Sequence, residues 1–312
     1  MEDLRGKTVV ILNPAAGAGR SGTLWDERRA VLEGILPEFV ERRSERRGHG
    51  AELAREAVEA GAARIVSVGG DGSWHEVVQG FMGASAEKRR NAVLGCLPTG
   101  SGCDFARHLG IPLEFKGAAL RLESDTVRRL DVVRAEVSHE DGNKRTVYLT
   151  NLAAFGLGGE VARVVERNGK NAGGPLSYFL ATVGAVFRSS PEDFDVRLDG
   201  RRIEGPFHTV LLANTSSTGG GMKIAPDADA EDGRFEVLTV GEMSKISMLL
   251  KLSKVYSGSH IGEPGIEYLK GEHLEARPPE GGASYPLNLD GESFGQLPAD
   301  FTIERGILPV LI

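Results

Sequence analysis

Cysteine is nearly missing from this chain: 312 residues hold two, Cys96 and Cys103. Two thiols cannot build the disulfide framework of a small secreted domain, and their neighbourhoods fit free thiols in a reducing compartment. Long apolar runs are missing too. The longest apolar helix candidate, 176–187, is too short to cross a bilayer. A charged opening, Met1-Glu2-Asp3-Leu4-Arg5, leads straight into a strand, so no signal peptide is expected. There is no basic excess. Lys and Arg total 37 against 44 Asp and Glu, and a net charge of −7 argues against nucleic acid as the main partner. No internal repeat or low-complexity tract occurs.

What the chain does have is glycine at three strand ends. Residues 63–68 read as a buried strand rich in β-branched residues, followed by Gly69-Gly70-Asp71-Gly72-Ser73-Trp74-His75-Glu76 and a helix from about Trp74. Such a turn lets backbone N–H groups and a helix N-terminus meet an anion, phosphate above all. Asp71 repels phosphate, so it implies a bound cation or proton transfer; the plainer alternative is an N-cap. A second turn follows the strand Thr8-Val9-Val10-Ile11-Leu12 and runs from Asn13 to Gly22. Its Gly17-to-Gly22 spacing fits GxGxxG, with Glu41 near the place of a ribose-binding acid, but it lacks the Lys of a Walker A loop. The third is Thr99-Gly100-Ser101-Gly102-Cys103-Asp104, again between a strand and a helix. In an α/β sheet such turns gather at the carboxyl edge of the strands, so the three are expected to form one site.

Organisation changes near residue 131. Before it, helical pieces at 52–59, 74–82 and 104–109 alternate with strands, which implies a doubly wound parallel sheet. After it, hairpin signals such as Asp141-Gly142 and Asp199-Gly200 dominate, with helices near 158–168 and 176–187. The fold class expected is therefore an α/β N-terminal domain plus a mostly antiparallel β-sandwich. With 40% hydrophobic residues the chain can bury two cores.

Asn13-Pro14 with Gly17, the Gly-Gly-Asp-Gly-Ser turn with Glu76-Val77, and Gly100-Ser101-Gly102-Cys103-Asp104-Phe105-Ala106-Arg107 resemble the diacylglycerol kinase catalytic domain family, which includes bacterial lipid kinases and the sphingosine and ceramide kinases. The resemblance continues through Asn214-Thr215, Gly219-Gly220-Gly221, Ala225-Pro226, Asp232-Gly233-Arg234-Phe235 and Leu289-Asp290-Gly291-Glu292. It implies a first domain related to those of NAD kinases and phosphofructokinases. That domain would span 1–131 and be completed by a strand at about 298–312, with a lipid-substrate domain at 132–297. It also implies ATP, Mg²⁺ and transfer of the γ-phosphate to a lipid hydroxyl.

By the same resemblance, Asn13, Gly17, Gly19 and Ser44 border the nucleotide. Gly69, Gly70, Asp71, Gly72, Ser73, Trp74 and His75 wrap the phosphates, joined by Thr99, Gly100 and Ser101. Asp71, Asp104 and Asp131 are candidates for holding Mg²⁺; a second Mg²⁺ loop would use Asp229, Asp232 and the carbonyl of Arg234. Bacterial diacylglycerol kinases take the Glu of the late Asp-Gly-Glu motif as base, which implies Glu292 beside Asp290. Sphingosine kinases imply Asp71 instead. Glu292 is preferred, with Asp71 organising the metal.

Cys103 stands where most relatives carry Asn, which removes an amide from the local network. The lipid end is less specified. The stripe at 246–256 with Lys245, Lys251 and Lys254, the basic clusters at 42–47 and 88–90, and an acceptor pocket near 155–159 are all open. A cytoplasmic location with transient contact at the inner membrane face is expected; a homodimer is open. The alternatives are a soluble-substrate kinase of the NAD kinase type and a nucleotide-binding protein without turnover.

Overall fold

The computed structural model describes residues 3–139, 141–167, 175–281 and 284–312. The chain divides into two units, Met1–Leu130 with Gly306–Ile312, and Asp131–Arg305.

The first unit is built on strands Thr8–Leu12 (β1), Val40–Arg43 (β2), Arg64–Gly69 (β3) and Val93–Pro98 (β4). β1 is buried throughout and β3 and β4 nearly so, as strands with helices on both faces must be. β2, with its Glu and two Arg, is only partly buried and forms the edge. All pair in parallel in the order β4-β3-β1-β2, and Val310 of the returning C-terminal strand pairs with Leu94 on the far side of β4. The helices are Arg20–Thr23 (α1), Trp25–Glu33 (α2), His49–Glu59 (α3), Asp71–Met82 (α4), Ala86–Arg89 (α5), Asp104–His108 (α6) and Phe115–Leu120 (α7).

Two of these helices begin earlier than their patterns indicate. α3 starts at His49 because the Glu76 carboxylate accepts the N–H groups of Gly48 (2.7 Å) and Gly50 (2.9 Å), a cap supplied from 26 residues away. α4 starts at Asp71 rather than Trp74, because Gly70 is the extended N-cap and its carbonyl already accepts the Trp74 N–H.

The second unit contains Val127–Ser138 (β5, entered from the first), Lys144–Leu149 (β6), Leu152–Gly156 (β7), Leu157–Arg167 (α8), Pro175–Arg188 (α9), Asp195–Leu198 (β8), Arg201–Ile203 (β9), Phe207–Ala213 (β10), Phe235–Gly241 (β11), Lys245–Lys254 (α10), Ile266–Gly271 (β12), His273–Arg277 (β13), Pro286–Leu289 (β14) and Glu292–Leu311 (β15, which leaves into the first unit). The helix expected to reach residue 168 ends at Arg167, and residue 168 lies outside the described residues. One antiparallel path runs β12-β11-β10-β7-β14-β15, and β5, β6, β8, β9 and β13 complete the sandwich. Alternation divides the path cleanly. Ala153 and Phe155, Val210 and Leu212, Phe235 and Val237, and Leu287 and Leu289 enter the sandwich core, where Phe155 meets Phe194 edge-on at 5.3 Å. The intervening residues face the other way, toward α8, α9 and α10. The fold class read from the sequence therefore holds: a parallel α/β unit and a β-sandwich-like unit.

Candidate active site

In the first unit the turns after β1, β3 and β4 lie side by side, tied by hydrogen bonds across long stretches of chain. Asn13 Nδ2 donates to Ser73 Oγ (2.9 Å), Ser21 Oγ and Thr99 Oγ1 are 2.6 Å apart, and Thr99 N–H donates to the Gly69 carbonyl (2.7 Å). Ser44 follows β2 on the same edge, its N–H on the Leu12 carbonyl (2.9 Å). The backbones nearly touch. A Cβ on Gly100 would lie 2.4 Å from Gly70 Cα, and one on Gly17, already at φ +61°, would lie 2.7 Å from the Thr99 carbonyl oxygen. Gly19 caps α1 in the left-handed region, and Ser101 is exposed beside Gly100. The first-turn N–H groups of α4, at Asp71, Gly72 and Ser73, have no partner within a helix by geometry, so this edge has the make-up of a backbone-built anion cradle.

Two of the residues expected to touch a nucleotide have buried side chains. Trp74 is 1% exposed and stacks on Phe105 at 4.3 Å, so its ring belongs to the core. His75 is buried too, not a surface residue of its helix.

Asp71 accepts the Phe105 N–H (3.2 Å) and so faces the start of α6, where Asp104 is also buried. Burial, then the neighbouring Asp104 charge, push the Asp71 carboxyl up from 3.8 to about 6; the N–H of Phe105 pulls the other way. A half-buried carboxylate facing a buried one fits a hard divalent cation, which typically takes one or two carboxylates and completes its shell with water and phosphate oxygens.

The other acidic candidates lie in the second unit. Asp131 is buried, with its carboxylate accepting the Gly233 N–H (2.6 Å). Asp229 accepts the Glu231 N–H, while Asp232 accepts the Arg234 N–H and pairs with Lys270 at 2.5 Å. Both N–H contacts are local, two residues apart, and Asp229, Asp232 and Arg234 are exposed. Among the described residues no three His, Cys, Asp or Glu side chains are gathered for a metal ion.

Asp290-Gly291 forms the hairpin between β14 and β15, with φ +51° and +87°, values of a type I′ turn. The Asp290 carboxylate accepts the N–H groups of Thr150 (3.0 Å), Asn151 (3.0 Å) and Leu152 (2.9 Å) while buried. All three donors come from the segment that leads from β6 into β7, so the carboxylate ties the turn to that segment. The turn it anchors presents Glu292, which is half-buried at the head of β15.

The helix-facing side of the sandwich contains what the sequence left unassigned: an apolar cavity of about 140 Å³. Ala154, Leu211, Leu238 and Val240 form its sheet wall, with Leu157 and Gly158 of α8 and Met248 and Leu252 of α10 opposite. Asn288, whose Oδ1 accepts the Gly291 N–H (2.8 Å), brings the edge of the Asp290 turn to this cavity. Of the stretch 155–159, Leu157 and Gly158 line this cavity, which is built from residues of the second unit. Sequence reasoning missed the Ser21–Thr99 tie and the capping by Glu76, since neither carries a local signal.

A diacylglycerol kinase catalytic domain matches residues 7–135, and a YegS C-terminal NAD kinase beta sandwich-like domain matches 151–312. A protein of Chromohalobacter salexigens named "Probable lipid kinase YegS-like" is 35% identical over 92% of this chain and 87% of its own length. A diacylglycerol kinase of Bacillus subtilis is 30% identical over 81% of this chain and 79% of its own. A crystal structure of a diacylglycerol kinase from Bacillus anthracis superimposes with a TM-score of 0.72 at 19% identity, covering 98% of this chain and 96% of that one, which speaks for the fold. The chain belongs to the diacylglycerol kinase family.

Proposed function

We propose that this protein is an ATP- and Mg²⁺-dependent kinase that transfers the γ-phosphate of ATP to the hydroxyl of a lipid. The observation that carries the reading is the presence in one chain of a backbone-built anion cradle and an apolar cavity of about 140 Å³. A nucleotide triphosphate suits the first. The second has the size of a cavity that takes a hydrocarbon about as large as benzene, so it would hold part of an acyl chain. An apolar wall weighs against a soluble acceptor such as NAD.

The cradle around Gly17, Gly70, Ser73 and Gly100 holds the phosphates with N–H groups. Asp71 and Asp104 would hold Mg²⁺, which when bound neutralises charge developing on the transferred group. Glu292 takes the proton of the acceptor hydroxyl as its oxygen attacks the γ-phosphorus. The bond to the β–γ bridging oxygen breaks, and ADP leaves with that oxygen. Asp290 and Asn288 keep Glu292 in place.

Labelled phosphate transfer from ATP·Mg²⁺ to micellar diacylglycerol, phosphatidylglycerol, sphingosine and ceramide tests the proposal, with NAD as soluble comparator. A labelled lipid is expected, and it should vanish in Asp71→Ala. Labelled NAD with no labelled lipid would move the chain to the soluble branch; no product on any acceptor would sink the kinase reading.

A further inference from the structure

Helix α10 has two apolar sides. Met248, Leu252 and Val255, spaced 4 and 3 residues apart, face the cavity. Ile246 and Leu250, one turn apart on the opposite side, are 71% and 67% exposed. Phe187 at the end of α9 is 62% exposed, and its neighbour Val186 lines the cavity. Lys245 Nζ donates to the Ser189 carbonyl and ties the start of α10 to the end of α9, so these exposed side chains belong to one region. A soluble protein rarely leaves large side chains clustered this way without a contact to make.

We propose that the outer face of α10, with Phe187, docks on a lipid bilayer by inserting Ile246 and Leu250 into its apolar boundary, so that a lipid chain passes around α10 into the cavity behind it. The proposal rests on the lipid-kinase reading for its purpose but not for its test. The occupant follows from continuity. One helix separates the exposed face from the cavity, so what lies outside should have the chemistry of what fits inside. Tyr256 and Lys254, both exposed just beyond Leu250, are residue types that settle at headgroup level. The lysines do not make this a charge-recruited surface. Lys251 and Lys254 both pair with Glu263, and Lys245 is held by Ser189. Docking should therefore depend on buried apolar area and resist salt.

The test is co-sedimentation of the full chain with phosphatidylcholine vesicles containing dioleoylglycerol, at low and high salt, beside the Ile246→Glu/Leu250→Glu variant. The unaltered chain should bind equally at both salt levels, and the variant at least about tenfold more weakly. Its thermal midpoint should stay put, because both positions are exposed. Phosphoryl transfer to monomeric dihexanoylglycerol should be the same in both proteins. Vesicle binding that persists in the variant, or that high salt abolishes in the parent, would overturn the proposal. So would a parental dimer that the variant dissociates with vesicle binding unchanged, since the face would then belong to a second copy. If no acceptor is phosphorylated, the kinase reading fails while vesicle binding still decides the docking surface.

Discussion

The anion cradle and the apolar cavity are built from opposite materials. The cradle is main chain brought so close that Gly100, against Gly70, leaves no room for a methyl group. Of its charges, Asp104 is buried and Asp71 half-buried. Side chains make the cavity, and three of the chain's five methionines, Met222, Met243 and Met248, line it. Met is unbranched and polarizable, and fits irregular apolar shapes at little cost. On the proposed function, one surface serves a ligand whose phosphates never vary, the other a hydrocarbon whose length and unsaturation do. Perturbing the first should change whether chemistry occurs; perturbing the second should change on what.

The largest effect separates catalysis from nucleotide binding. Glu292→Gln keeps shape and hydrogen-bonding capacity but cannot take a proton. Turnover should fall by roughly 10²–10⁴-fold, the range typical of positioned proton transfer, while ATP affinity stays the same. Single-turnover kinetics with separate nucleotide titration would check this. Unchanged turnover would pass the base role to Asp71.

Next comes the pH dependence of the cradle. The Asp71 carboxyl is raised from 3.8 to about 6, so the folded state holds this proton more tightly than the unfolded state does. Below about pH 4 both states are protonated and ionisation costs nothing. Between pH 4 and 6 the unfolded chain releases its proton first, and stability falls. Above pH 6 the full cost, roughly 3 kcal/mol, is present without a cation. Asp71→Asn should thus stabilise the metal-free protein above pH 6 but not below pH 4, and Mg²⁺ should shrink the difference. Denaturant melts across this range would read it; a pH-independent gain would place the cause elsewhere.

Asp290→Asn tests the anchor of the turn at the cavity's edge. An amide nitrogen facing one of the Thr150, Asn151 or Leu152 N–H groups leaves a buried donor unpaired, for a loss of about 2–3 kcal/mol. A slowed turnover in the protein that remains folded, with unchanged ATP affinity, would identify Asp290 as acting through Glu292. A smaller change is expected from Ala154→Leu, which fills part of the cavity from the sheet wall. The kcat/KM for long-chain acceptors should drop by about tenfold, equivalent to about 1.4 kcal/mol, with short-chain acceptors spared. Equal losses on both would mean that the cavity does not hold the acceptor chain.

The same contrast explains what was legible. Strands such as β1 and β3 announce themselves by β-branched runs, and the cradle by the glycines that its close approaches demand. The cavity draws two or three residues each from β7, β10, β11, α8, α9 and α10, mostly of ordinary core type, so no spacing marks it. The Asp290 turn shows a subtler limit. Asp199-Gly200 adopts the same left-handed pair of angles, and Asp199 also accepts two backbone N–H groups, from Glu272 and His273. The Leu-Asp-Gly sequence and turn are shared; what differs is the burial of the Asp and the next residue, Glu292 in one and Arg201 in the other. Trp74 misleads for the reverse reason. It sits inside a ligand-binding motif, but Phe105, thirty-one residues on, claims its ring for the core.

The smallest expected effect is at Cys103. This residue holds φ 55°, ψ 43°, a left-handed conformation that Asn adopts more readily than most residues, and it directly precedes α6, where Asn is also a favoured cap. Burial and then Asp71 push its thiol up to about 11, so it carries no thiolate at neutral pH and offers little as a nucleophile. Backbone conformation, not sulfur chemistry, is therefore what the cradle asks of this position. Cys103→Asn should raise stability by about 0.5 kcal/mol and leave turnover within about twofold. A large loss of activity would mean that side-chain chemistry at this turn matters after all, and the division between a cradle made of main chain and a cavity made of side chains would have to be redrawn.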